Sequence, residues 1–317
     1  MPDPMAVAEA RYREGVKLRS ATERTARSLW RRHMDFRSLD RSWQELAPLL
    51  LALLREAQRK GAAGSQAYLM AMLAALNLDA VPAGEINPDA FAGVASDGRD
   101  LESLLYNSVI TTKQAVAQGA SEAEAMSAGE KALRMYMATQ VADAARVADG
   151  VGVAATPRLG GYVRMLSLPS CARCAILAGK WFRWNQGFQR HPRCDCRHIP
   201  ASEDVAGDLR TDPMAAVRSG QVHGLTRADR KALADGADLN QIVNAKRGMR
   251  SAGGRKFTTE GTTSRGIAGR RLGDLRMTRG SRYRRSGIAR LTPEQIYRDA
   301  TSREDAIRLL RLHGYII

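Results

Sequence analysis

Apolar residues recur at helical spacing through the first half of the chain. Leu133, Met137, Val141, Ala144 and Ala148 follow one another three or four residues apart, the repeat that gathers side chains on one face of an α-helix. Ser121 and Glu124 precede that run with the spacing of a capping box, and Gly150 stands where such a helix is expected to stop. Asp100 opens an earlier helix that sets Leu101, Leu105, Val109 and Val116 roughly on one face, and residues 46–54 and 68–76 supply two further apolar segments. Residues 5–150, rich in Ala, Leu, Met, Arg and Glu, read as helix after helix, and these four segments predict one bundle. Met70, Met72, Met135 and Tyr136 read as filling for its core.

After Gly150 the pattern changes. VGVAATPRLGGYVRMLSLPS mixes Gly, Pro and β-branched residues and predicts a linker followed by a strand near residues 162–168. Two short helices follow beyond residue 205, one capped by Thr226 and closed by Gly236, the next starting at Asp238 and closing before Gly248. KFTTEGTTSR reads as two Thr-rich strands around Glu260 and Gly261. At the end, Thr292 as a cap, Pro293 in a first turn, Thr301 and Glu304 as a capping box and Gly314 as a stop predict two helices, with Ile296, Tyr297, Ile307, Leu310 and Ile316 as apolar positions.

The expected fold is therefore mainly α: an N-terminal helical bundle, a small zinc-stabilised α+β middle domain, a basic and largely irregular segment, and short C-terminal helices. The boundaries fall at 1–150, 151–205, 206–248, 249–290 and 291–317.

Charge sharpens this picture. The 317 residues carry a formal +16 with a pI near 10.3, which favours polyanionic partners. Residues 246–290 hold fourteen Lys or Arg against Glu260 and Asp274, most of the chain's excess. Spaced by Gly and Ser, they read as a flexible arm for phosphates, contacting double-stranded DNA without sequence preference through Lys246, Arg247, Arg250, Arg255, Lys256, Arg270, Arg271, Arg276, Arg279, Arg282, Arg284 and Arg285. The N-terminus has no uninterrupted apolar core, and the longest apolar run, 46–54, is about half a bilayer span with Pro48 inside it. The expectation is a soluble protein made in the cytosol, with no membrane partner.

All four cysteines and two of the five histidines fall in CARCAILAGKWFRWNQGFQRHPRCDCRHIP, residues 171–200. Cys171 and Cys174 have the C-x2-C spacing with which one tight turn offers two thiolates to an ion, and His191, Cys194, Cys196 and His198 return about twenty residues later. Thiolate and imidazole suit zinc, and a segment with so few large apolar residues gains stability from ligation, so the metal would be structural. The preferred ligands are Cys171, Cys174, His191 and one of Cys194 or Cys196. Reduced thiols packed as small hydrophobes are the plainer alternative. A nuclease or thiol hydrolase centred on His191, Cys194 and His198 is the catalytic one, although no partner carboxylate or amide stands out. G-x-x-x-x-G-K-S/T, G-x-S-x-G and H-E-x-x-H are all missing, which removes the apparatus of nucleotide hydrolysis, serine esterase chemistry and zinc proteolysis.

CARCAILAGK followed by HPRCDC resembles the Mu F-like minor capsid, or head morphogenesis, proteins of tailed phages, through Cys171, Cys174, Gly179, His191, Pro192, Cys194 and Cys196. Asp195 stands where family members carry Arg. The tail LTPEQIYRDATSREDAIRLLRLHGYI is also similar to the ends of minor capsid proteins from phages of actinobacteria. The resemblance implies a non-enzymatic virion protein inside the head near the portal vertex. Its partners would be the portal protein or the major capsid protein and packaged DNA, with no small-molecule substrate.

Overall fold

The structure, a computed structural model, describes residues 3–185, 196–207, 209, 211–246, 249–252, 255–260, 275–277, 284–291 and 293–312. It is mainly helical, with small sheets. Contacts divide it into two units that alternate along the chain, residues 1–165 with 179–211 and residues 166–178 with 212–317, whereas the sequence pattern suggests five consecutive stretches.

The first unit is built on four helices: α1 (Pro4–His33), α2 (Leu39–Ala75), α3 (Leu101–Ala117) and α4 (Glu122–Ala154). Asp3 caps α1 by accepting the Met5 N–H at 3.0 Å, and Arg31 and Arg32 place cations at its C-terminal end, where the helix dipole favours them. Asp100 caps α3, and the Ser121–Glu124 capping box opens α4 as the spacing predicts. Trp30, Leu46, Leu50, Leu54, Leu101, Leu105, Val109, Leu133, Met137 and Val141 form one core among these helices.

Three boundaries differ from the sequence reading. The segments 46–54 and 68–76 belong to a single helix of 37 residues with Pro48 inside it. A proline there removes one rung at a cost of about 3 kcal/mol. Leu46, Leu50 and Leu54 are all 0 % exposed, and burying each contributes roughly 2 kcal/mol, which outweighs the lost rung. Helix α4 runs through Gly150 to Ala154 because Val153 packs with Leu69, Leu73 and Leu159. Val116 is exposed near the end of α3, past the edge of the core, and Met70 also faces outward, whereas Met72 is buried as expected.

A three-stranded antiparallel sheet completes this unit. Strands β1 (Gly161–Met165), β3 (Trp181–Arg183) and β4 (Arg197–Ala201) lie in the order β3-β1-β4, with Val163 opposite Trp181 on one side and Ile199 on the other. The expected strand over 162–168 thus ends at Met165. Val163, Met165, Ile199 and Ala201 bury against Ala8, Tyr68 and Met72 of α1 and α2.

The second unit contains β2 (Ser170–Cys171), paired in parallel with β5 (Val222–His223), and short helices α5 (Ala172–Ala175), α6 (Pro213–Arg218), α7 (Arg227–Ala234) and α8 (Leu239–Ala245). Thr226 and Asp238 cap α7 and α8, and Gly236 takes the left-handed conformation (φ 89°) that closes α7, all as predicted. Strands β6 (Met249–Ala252), β7 (Arg255–Glu260), β8 (Leu275–Met277) and β9 (Arg284–Leu291) form a second sheet ordered β6-β7-β9-β8. The described residues of 249–290 are thus strands, and the rest of that stretch lies outside the described residues. The pairing of β7 with β9 joins residues far apart in sequence, and a Gly- and Arg-rich composition shows no local alternation to announce it. The second Thr-rich strand expected after Gly261 lies outside the described residues.

Helices α9 (Pro293–Asp299) and α10 (Arg303–Leu312) follow. The cap of α10 is shifted by one residue from the expected Thr301–Glu304 box: the Asp305 N–H donates to Ser302 Oγ at 3.1 Å, and the Thr301 N–H to Asp305 Oδ2 at 3.3 Å. Ile296, Ala306 and Leu310 are buried, and the Tyr297 hydroxyl donates to Asp235 at 2.9 Å. Thr292, Gly314 and Ile316 lie outside the described residues.

Candidate functional site

Cys171 ends β2 and caps α5, its Sγ accepting the Cys174 N–H at 3.4 Å. Cys174 is buried on that turn. The C-x2-C spacing places both thiols on one tight turn.

His191 and Cys194 lie outside the described residues. Among the described residues no three or more His, Cys, Asp or Glu side chains gather in a way that would hold a metal ion.

In the first unit, Cys196 precedes β4 and is 4 % exposed. Burial alternates through Cys196, Arg197 and His198 as a strand requires, with Arg197 the more open residue. Arg164, itself 1 % exposed, donates from Nη2 to Cys196 Sγ at 3.0 Å. The imidazole of His198 stacks on Tyr162 with ring centres 4.3 Å apart, and its backbone carbonyl accepts the Tyr68 hydroxyl at 2.8 Å. Desolvation drives the Tyr68 hydroxyl's pKa far above its usual value.

Of the predicted DNA contacts, Arg247, Arg270, Arg271, Arg279 and Arg282 lie outside the described residues. Lys246 ends α8, pairs with the buried Asp229 carboxylate and donates to the Gly224 carbonyl at 2.6 Å, so its ammonium is already engaged by the fold. Arg250, Arg255, Lys256, Arg276, Arg284 and Arg285 all take positions in the four-stranded sheet. Its register sets Arg276 directly opposite Arg285, with Glu260 opposite Arg285 on the other side. Thr258 faces Arg290, and Met277 faces Arg284. Like charges at directly opposed positions destabilise a ladder by up to about 1 kcal/mol.

Two features escaped the sequence reading. Arg164 sits in the apolar run YVRML, where an interior cation was the available signal. Arg11, Ser65 and Asp149 meet between α1, α2 and α4: Arg11 Nη2 lies 2.8 Å from Ser65 Oγ and 3.0 Å from Asp149 Oδ1, and Ser65 Oγ donates to the same carboxylate at 2.6 Å. Burial pushes the pKa of Asp149 up while Arg11 and Ser65 oppose that shift. Arg11 and Asp149 stand 138 positions apart, and no local pattern signals this cluster.

Compared with known protein families, curated proteins and solved structures, the chain matches none.

Proposed function

We propose that the protein is a non-enzymatic structural component of a tailed-phage virion, a Mu F-like minor capsid protein bound at or near the portal vertex that acts in head assembly and in handling packaged DNA. The identity of the assembly rests on the resemblance carried by Cys171, Cys174, His191, Cys194, Cys196 and the C-terminal segment. No helix among the described residues is long and apolar enough to cross a membrane.

One structural observation supports the polyanion contact: Arg250, Arg255, Lys256, Arg276, Arg284, Arg285 and Arg290 occupy positions in one sheet, with Arg276 opposite Arg285 in register. A DNA backbone running across such positions meets several guanidinium groups at once, and its affinity falls with salt as counterions return. The contacts are to phosphates and carry no sequence preference. Structural zinc enters on the spacing of the thiol and imidazole residues alone. The fourth ligand beside Cys171, Cys174 and His191 would be Cys194 or Cys196.

The test is to locate the protein in purified particles by electron microscopy and to measure binding of unrelated DNA duplexes at several salt concentrations. Density at the portal vertex and equal, salt-sensitive affinities are the expected results. Hydrolysis of DNA or of an ester or amide that disappears with His191→Ala would replace this reading with the catalytic one.

A further inference from the structure

We infer that the exposed face of α1 is a second contact surface for the phosphate backbone of double-stranded DNA. The inference rests on the proposed function for its partner and adds to it a surface in the first unit. Arg13, Lys17, Arg24, Arg27 and Arg31 follow one another at intervals of 4, 7, 3 and 4 residues, the spacing that lines side chains along one face of a helix. All five are exposed, whereas the face through Ala8, Thr22, Ala26 and Trp30 is buried. At ~1.5 Å per residue the row from Arg13 to Arg31 is about 27 Å long.

Two of the cations are held in place across the seam with α4. The buried Glu130 carboxylate takes the Nε of Arg27 at 3.1 Å on one oxygen and the Nε of Arg31 at 2.7 Å on the other. The two side chains remain 46 % and 59 % exposed, and a guanidinium has donors beyond its Nε. Side chains ordered before binding have less freedom to lose when a phosphate arrives. Arg134 of α4, paired with Glu23 and 4.0 Å from Glu130, adds a cation beside them.

The neighbouring carboxylates do not cancel this charge. Glu9 pairs with Arg13 and Arg197, Glu23 with Arg134, and Glu130 with Arg27, Arg31 and Arg134, while Glu14 is exposed. These four acids stand against seven cations, the row together with Arg32 and Arg134, even with Arg19 and Arg197 left aside.

The surroundings of the row select the partner. Ala10, Ser20, Ala21 and Ser28 are the small residues along it, and no large apolar side chain of α1 is exposed. A helix that lies on a membrane buries an apolar face, and protein interfaces centre on large anchors such as Trp and Tyr; this face offers neither. A phosphate backbone needs only cations that it can approach closely, and duplex DNA presents a charge for every ~1.7 Å of its axis.

The experiment measures binding of two unrelated duplexes to the full chain by fluorescence anisotropy over a range of salt concentrations, with Lys17→Gln and Arg24→Gln combined. Both residues are exposed and lie outside the ion pairs above, so circular dichroism and thermal melting should be unchanged. Expected are at least fivefold weaker binding of both duplexes at low salt and a slope of log affinity against log salt smaller by about 2, near 0.9 for each lost contact. Lys17→Arg with Arg24→Lys, which keeps both charges, should bind as the native chain does. Arg276→Gln with Arg285→Gln separates this surface from the sheet of the second unit. The inference falls if the sheet variant alone lowers the slope, and it stands if the helix variant lowers it, even where the protein proves absent from virions. No DNA binding by the native chain would remove both surfaces. Poly-glutamate or phosphatidylglycerol vesicles that bind as tightly as DNA, and lose as much in the helix variant, would overturn the choice of partner.

Discussion

Arg164 Nη2, on β1, lies 3.0 Å from Sγ of Cys196, just before β4, and both residues are almost wholly buried. A guanidinium taken out of water needs acceptors, and removing one typically costs about 3 kcal/mol. Cys196→Ala should therefore lower stability to chemical denaturation by about that amount, and Cys196→Ser, which keeps an acceptor, by clearly less. Equal losses for the two variants would mean that the sulfur contributes packing and no hydrogen bond.

Helices α3 and α4 approach closely at Gly129. A Cβ there would fall 2.1 Å from Thr112 Oγ1 and 2.9 Å from the Ser108 carbonyl oxygen. The backbone oxygen cannot swing aside, so Gly129→Ala should overpack the contact and destabilise by about 1–3 kcal/mol, despite alanine's better helix propensity. Thermal unfolding of the variant measures this, and a raised melting temperature would show that the helices separate freely.

Local signals in the sequence succeed where one residue's chemistry acts on its near neighbours. The caps at Asp100, Ser121, Thr226 and Asp238 all appear because an Asp, Ser or Thr oxygen reaches an N–H two or three residues on. Such signals fail where distant burial decides the outcome. Pro48 and Gly150 look like breaks, yet Leu54 and Val153 are held in cores that carry the helices through them. Arg11 with Asp149 and the β7–β9 pairing are contacts between distant residues, and composition cannot show which partner a residue will find. Of the candidate site, the thiol pair of Cys171 and Cys174 on one turn was legible from spacing alone.

Asp40 joins α2 to α3 by accepting Lys113 Nζ at 2.7 Å and the Tyr106 hydroxyl at 2.6 Å. The hydrogen bond from Lys113, and then that from Tyr106, holds its carboxyl below the ordinary value of 3.8. A depressed folded-state pKa contributes stability above the unfolded value and loses it as pH falls through the folded value. The stability difference between the native protein and Asp40→Asn should thus be constant near neutrality and shrink below 3.8. Denaturant melts at a series of acidic pH values measure it, and a gap that widens on acidification would contradict the assignment.

If zinc is held by the thiols and imidazole, elemental analysis of purified protein should find one ion per chain, lost in Cys171→Ser with Cys174→Ser and in His191→Ala. Retention of the ion in Cys196→Ser with its loss in Cys194→Ser would make Cys194 the fourth ligand. Loss of zinc in Cys196→Ser and its retention in Cys194→Ser would exchange the roles of those two cysteines.

The like-charged pair on the second sheet gives the sharpest test of DNA contact, because stability and binding should move in opposite directions. Replacing both Arg276 and Arg285 with Gln removes a repulsion between opposed positions, so the isolated protein should become slightly more stable, by up to about 1 kcal/mol. Arg285 also faces Glu260, so Arg276→Gln alone is the cleaner variant for that gain. If both guanidinium groups touch phosphates, the double variant should bind duplex DNA more weakly and uniformly across sequences. The slope of log affinity against log salt should fall by roughly 2, about 0.9 for each phosphate that is no longer neutralised. An unchanged slope together with increased stability would leave the cations as a solvated face and remove the sheet from any account of DNA handling.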